Sequence, residues 1–197
     1  TNDVSFLDSA KAVTDWAGQL ALAEWAKSQG QADVATEAFA NAAAIDGLGQ
    51  LYASARHATE TKDVATLTDT IGKASGIGDV VAGMSAIDGL IAVHLENGDL
   101  PSLWKDAYDA LKGEHKMKLA DASWEILALT RVGLLTGHTG EVREQVQKLI
   151  AQSEGTVLTE ANLYAGLVGM RMLDKELLAS VKEKDSDASL GILLQSG

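Results

Sequence analysis

Two stretches, QADVATEAFANAAA at 31–44 and TKDVATLTDTIGKA at 61–74, share four consecutive letters. Asp33-Val34-Ala35-Thr36 returns thirty positions later as Asp63-Val64-Ala65-Thr66. In the first stretch Val34, Ala35, Ala38, Phe39 and Ala42 recur at three- and four-residue steps, the spacing that gathers apolar side chains on one helical face. The short carboxylates of Asp33 and Asp63 read as helix start signals, because they accept from free backbone N–H groups. A shift of thirty sets Ala65 in the small-residue slot of Ala35 and Ala53 in that of Ala23. It also sets Asp69 against Phe39, so the second copy reads as degenerate.

The pattern extends in both directions. A helix is predicted over 3–29, with Asn2 or Asp3 as cap, Phe6, Leu7, Ala10, Val13, Ala17, Leu20 and Ala21 along its apolar face, and Gly30 at its end. Its partner spans 32–45. DGLGQLYASARHA and KDVATLTDTIGKA form a second pair, closed by a glycine-rich break at 72–78. The apolar run VVAGMSAIDGLIAVHL, 80–95, reads as a buried core helix; it is shorter than the ~20 residues a bilayer requires and contains Asp88. Asp99 caps the next helix, with Pro101 in its first turn and Leu103, Trp104, Ala107 and Leu111 inward. KLADASWEILALTRVGLLTG, TGEVREQVQKLIAQS, LTEANLYAGLVGMRML (with Thr159 at its cap) and DKELLASVKE complete about five antiparallel pairs with short connections. The expected fold class is all-α, an α-α superhelix in a single domain over 1–182, with a candidate hinge at 72–78. The tail 183–197, with its apolar cluster, is expected to dock on the body.

Composition agrees. Alanine and leucine favour helices, aromatics are only 5%, and proline occurs once. The net charge of −12 and the lack of a basic stripe argue against nucleic acid and against docking on anionic lipid. No cysteine is present, which excludes disulfides and thiolate sites. The first residue is Thr1, consistent with a trimmed signal or anchor, so the expected location is periplasmic if an anchor was removed and cytoplasmic otherwise.

Gly30, Ala35, Phe39, Ala42 and Gly47, together with Ala23, resemble the tetratricopeptide repeat, whose second helix carries Ala, a bulky aromatic and Ala after a glycine turn. Gly98, Leu103, Ala107 and Ala110 keep that spacing, as do Gly137, Val142, Val146 and Leu149. A narrower likeness lies at 120–153, where Trp124, Leu127, Ala128, Leu129, Gly137, Val142, Arg143 and Leu149 resemble the tetratricopeptide-like family of the bacterial ancillary Sec translocon subunit. That resemblance implies periplasmic repeats held by an N-terminal membrane helix and a role in envelope protein biogenesis.

Chemistry is sparse. His57, His94, His115 and His138 fall in no metal-binding pattern. Asp185, Asp187 and Ser189 imitate the start of a calcium loop, but Leu190 stands where that loop needs glycine and no glutamate closes it. GKASGIG lacks the upstream glycine and the Ser/Thr of a phosphate loop. Asp106, Asp109, Asp121, Glu125, Glu141 and Glu144 have the spacing of solvated helix faces, and Ser9, Ser28 and Ser85 have no nucleophile-elbow context. Trp16, Trp25, Trp104 and Trp124 read as packing residues, one or two of which could instead line a peptide groove. No enzyme, no cofactor and no metal site are expected.

The expected function is a non-enzymatic interaction scaffold that binds a protein or peptide on the inner face of the array. The resemblance sets Leu20, Glu24, Lys27, Gln50, Ser54, His57, Asp88, Ala92, Leu127 and Arg131 at groove-facing positions. The rival readings are a small-molecule-binding or catalytic domain with a polar pocket near 72–78, and a self-assembling module that forms homo-oligomers through its terminal helices.

Overall fold

The computed structural model describes residues 14–112 and 123–184, and these are all-helical, with ten helices and no strand among them. The helices are α1 (Trp16–Ser28), α2 (Ala32–Ala44), α3 (Gln50–Thr61), α4 (Val64–Ile77), α5 (Val80–Asn97), α6 (Leu100–Lys112), α7 (Ser123–Thr136), α8 (Thr139–Gln152), α9 (Gly155–Met172) and α10 (Lys175–Lys184). Packing divides the chain into two compact units, Thr1–Gly98 and Asp99–Gly197. In the first, α1 packs on α2, α2 on α3, α3 on α4 and α5, and α4 on α5. In the second, α7 packs on α6, α8 and α9, α8 on α9 and α10, and α9 on α10.

One turn recurs. One or two places past the end of each of α1, α3, α5, α7 and α9 a residue lies in the left-handed region: Gly30 (φ 73°), Lys62 (57°), Gly98 (69°), Gly137 (86°) and Leu173 (54°). The next N–H then reaches back over the helix end, from Gln31 to the Ala26 carbonyl (2.9 Å), Asp63 to Ala58 (2.8 Å) and Asp174 to Gly169 (2.8 Å). This arrangement satisfies carbonyls that a helix end leaves orphaned. An aspartate commonly follows and caps the next helix: Asp63 accepts from the Thr66 N–H (3.1 Å), Asp79 from Ala82 (3.0 Å), Asp99 from Ser102 (3.2 Å) and Asp174 from Leu177 (3.0 Å). A loop this short folds the two helices against each other, and Ala26 and Ala58, whose carbonyls accept the returning N–H, are both fully buried.

Counting from these turns corrects the expected register. Ala35, Ala38, Phe39 and Ala42 of α2 are buried, and so are Leu67, Thr70, Ile71 and Ala74 of α4, 32 positions on. The shared DVAT letters, thirty apart, are therefore out of step. Ala35 is buried while Ala65 is exposed. Asp63 caps its helix, but Asp33 lies inside α2, whose first residue is Ala32 and whose N-cap, Gln31, makes no side-chain cap. Ile71, 32 positions after Phe39, is fully buried as Phe39 is. The polar Thr70 is accommodated because its hydroxyl donates to the Thr66 carbonyl at 2.8 Å. The misreading has a physical origin: the turn residue is Lys62, which carries none of the glycine signal. Of the residues grouped with Gly98 and Gly137, Leu103, Ala107, Val142, Val146 and Leu149 are buried, whereas Ala110 is only half-buried.

Other expectations also shift. The first helix does not run unbroken to 29 from the N-terminus. Asp15 adopts extended backbone, accepts from the Gly18 N–H (2.9 Å) and starts α1 at Trp16; such a side chain offers the backbone an alternative to continuing the helix. Ala17 and Ala21 are exposed, and the buried stripe is Gln19, Leu20, Leu22, Ala23 and Ala26. The break at 72–78 narrows to Gly78 (φ 74°), because α4 continues through Gly72 and Gly76 to Ile77. Thr159 lies within α9, which starts at Gly155 behind Glu154. The helix read as wholly core, α5, exposes Val80, Val81 and Leu95. Asn2, Asp3, Phe6, Leu7, Ala10, Val13, His115, Asp121, the start of the 118–137 helix and the tail from 185 lie outside the described residues.

Candidate functional site

Within the first unit, α3 and α5 leave an open groove of about 580 Å³ between them. Tyr52, Arg56 and Thr59 line it from α3; Val80, Val81, Met84, Ser85, Asp88, Gly89 and Ala92 line it from α5. The helices come close at one point. A Cβ added at Gly89 would lie 2.1 Å from Thr59 Oγ1 and 2.9 Å from Leu67 Cδ2, so glycine permits this approach. Thr59 is held in place by its hydroxyl, which donates to the Ala55 carbonyl at 2.8 Å. Above this floor the walls are mostly apolar. Val81 is 67% and Val80 47% exposed, and Ile77, 73% exposed, ends the preceding helix.

Two charged side chains, Arg56 and Asp88, line the groove itself. Arg56 Nη2 pairs with Glu24 Oε1 of α1 at 2.7 Å, and its guanidinium lies 5.3 Å from the centre of the buried Phe39 ring, a cation–π arrangement. Lys27 of α1 pairs with Glu60 of α3, and Lys62, which ends α3, pairs with Glu96 of α5. These three cations of the first unit thus each hold a carboxylate, while the whole chain carries −12.

The residues expected to face a groove divide into groups. Asp88 and Ala92 line it and are exposed. Glu24 and Lys27 are exposed on α1 and take part in the ion pairs just described. Leu20 (9% exposed) and Leu127 (5%) are packed into the interiors of their units, so neither presents its side chain to a partner. Arg131 is half-buried on α7. Gln50, Ser54 and His57 are half-buried on α3 but do not line the groove. Tyr52, Arg56 and Thr59, each two positions further on, take their place. They are the residues that a 32-residue register selects from Leu20, Glu24 and Lys27. The capping Asp63 just after Lys62 is the signal that would have found them.

The second unit has a different kind of polar centre. Arg143 Nε donates to Asp174 Oδ2 (2.7 Å), Nη1 to Gln147 Oε1 (2.8 Å) and Nη2 to Glu176 Oε2 (3.2 Å). Asp174 uses its other oxygen to cap α10. The hydrogen bond from Arg143, helped by the Leu177 N–H, holds the Asp174 carboxyl below the usual carboxylate range, and the same pair raises the Arg143 pKa. This joint fastens α8 to the start of α10. Nearby, His138 stacks on Trp104 with ring centroids 4.5 Å apart and planes 3° apart, and its Nδ1 lies 2.9 Å from Thr136 Oγ1.

Among the described residues no group of three or more His, Cys, Asp or Glu side chains is placed to hold a metal ion. No described helix is long and apolar enough to cross a membrane. No family model matches the chain, and no curated protein or solved structure is significantly similar to it.

Proposed function

We propose that the chain is a tetratricopeptide-like scaffold that holds a peptide segment of a partner protein in the groove between α3 and α5. One observation carries the reading: an open groove lined by the exposed aliphatic side chains of Val80, Val81 and Ala92 together with Tyr52, Arg56 and Asp88. Such a surface suits apolar anchors ringed by polar contacts. The repeat reading draws support from the hairpin register and from ion pairs joining residues 33 and 34 positions apart, Lys27–Glu60 and Lys62–Glu96, close to the ~34-residue period of tetratricopeptide arrays. The likeness at 120–153 adds envelope protein biogenesis as the proposed setting.

Charge selects the class of partner. With Arg56 paired to Glu24, Asp88 exposed in the groove and the chain strongly acidic, the complementary ligand is an amphipathic segment with apolar anchors and basic flanks. A labelled peptide of that kind should bind saturably by fluorescence anisotropy, more weakly as salt rises, and an acidic-flanked analogue should not. Ala92→Trp fills the groove from an exposed position without touching the core, and should weaken binding by about tenfold or more. Equal affinity of wild type and Ala92→Trp would sink the proposal, as would a panel of basic amphipathic peptides that fails to bind.

A further inference from the structure

The recurring turn lets equivalent positions be compared along the first helix of each hairpin. Ten and six residues before the turn residue stand Leu20 and Glu24, Tyr52 and Arg56, Asp88 and Ala92, Leu127 and Arg131, and, in α9, Leu163 and Leu167. In the first unit the α1 pair is covered by the next such helix: Leu20 is buried and Glu24 is bound to Arg56 of α3. In the second unit Leu127 of α7, which packs on α9, is 5% exposed. On α9 both positions are leucine, and both are 38% exposed. Two leucines one turn apart on a well-packed hairpin form an apolar ridge of the kind that is buried elsewhere in the fold.

The chain itself carries matching material. Residues 185–197 follow α10 and include Leu190, Ile192, Leu193 and Leu194 within five positions. The connection is short enough to deliver them. α10 turns back on α9 through Leu173 and Asp174, so its ten residues run back along α9 for ~15 Å. Leu163 lies ten residues before that same turn, so α10 ends level with it. The six residues from Lys184 to Leu190 reach up to ~20 Å. We propose that the Leu190–Leu194 segment of the same chain covers the Leu163–Leu167 ridge of α9. The proposal rests on the hairpin register and is independent of the groove reading.

Cysteine is absent from the chain, so an engineered pair reports unambiguously. The full chain carrying Leu163→Cys and Leu193→Cys should oxidise to an intramolecular disulfide in the monomer, and one carrying Leu193→Cys with Lys105→Cys, an exposed position on α6 of the same unit, should not. A disulfide-linked dimer from the first variant would assign the ridge to a second copy and overturn the proposal; absence of any crosslink would also overturn it. The single variant Leu193→Asp provides a second readout should the double variant fail to fold. Amide exchange over 160–168 should accelerate about tenfold or more relative to wild type, and an unchanged rate would refute the contact.

Discussion

Replacing Gly89 with alanine tests the closest approach in the first unit. The new methyl would lie 2.1 Å from Thr59 Oγ1, 2.9 Å from Leu67 Cδ2 and 3.3 Å from Thr59 Cβ. The first distance is more than about 1 Å inside ordinary contact. Thr59 cannot simply swing away, because its hydroxyl is bonded to the Ala55 carbonyl, and Leu67 is fully buried. Overpacking of this kind costs about 1–3 kcal/mol. Against it stands the gain of roughly 0.5–1 kcal/mol from removing a glycine inside a helix. A contact of 2.1 Å belongs to the upper part of the overpacking range, about 2–3 kcal/mol, so the expected net loss is about 1–2.5 kcal/mol, a fall in Tm of the order of 5–15 °C for a unit of this size. Thermal and urea unfolding followed by circular dichroism measure it. The companion variant Thr59→Ala removes the atom that clashes. The double variant Gly89→Ala/Thr59→Ala should therefore be more stable than additivity of the two singles allows, by about 1 kcal/mol. If Gly89→Ala matches or exceeds wild-type stability, α3 and α5 do not approach as described and the groove geometry falls with it.

Two further outcomes follow from the turns. Leu173 is 84% exposed and holds a left-handed backbone at φ 54°, so Leu173→Gly relieves strain without losing packing and should raise stability by about 1 kcal/mol in chemical denaturation; destabilisation would contradict the assigned turn. Asp174→Asn keeps an acceptor for the α10 cap but removes the charge that pairs with Arg143. The folded-state pKa of Asp174 is lowered, so its contribution is fully present above the unfolded carboxylate value of about 4 and disappears as pH falls through the folded one. Wild type should exceed the variant in Tm at neutral pH, and the two should converge under acid; a constant gap across that range would exclude the ion pair as its source.

Much of the architecture is legible in the chain because it is local. Alanine-rich stretches without proline form helices, and Asp63, Asp79 and Asp99 stop one helix and start another using only their own neighbours. The candidate site was legible only where glycine announced the turn. Counting back from Gly98 finds Asp88 and Ala92 in the groove. Counting the second hairpin from the DVAT echo misses Tyr52, Arg56 and Thr59 by two positions, because Lys62 adopts the left-handed turn without a glycine to mark it. The exposed valines at 80 and 81 were hidden for another reason. A continuous apolar run reads as core, and only the placement of α3 beside α5 leaves part of it open.

The sequence by itself therefore determined that the chain is helical and where most helices begin, since backbone propensity and capping act over a few residues. Only the tertiary structure decided which faces are buried and which positions are equivalent. Alanine shows why most plainly. Ala35 and Ala65 have identical neighbours on both sides, yet one is packed and the other faces solvent. A methyl group is small enough to be stable in either place, and the choice belongs to the helix packed beside it.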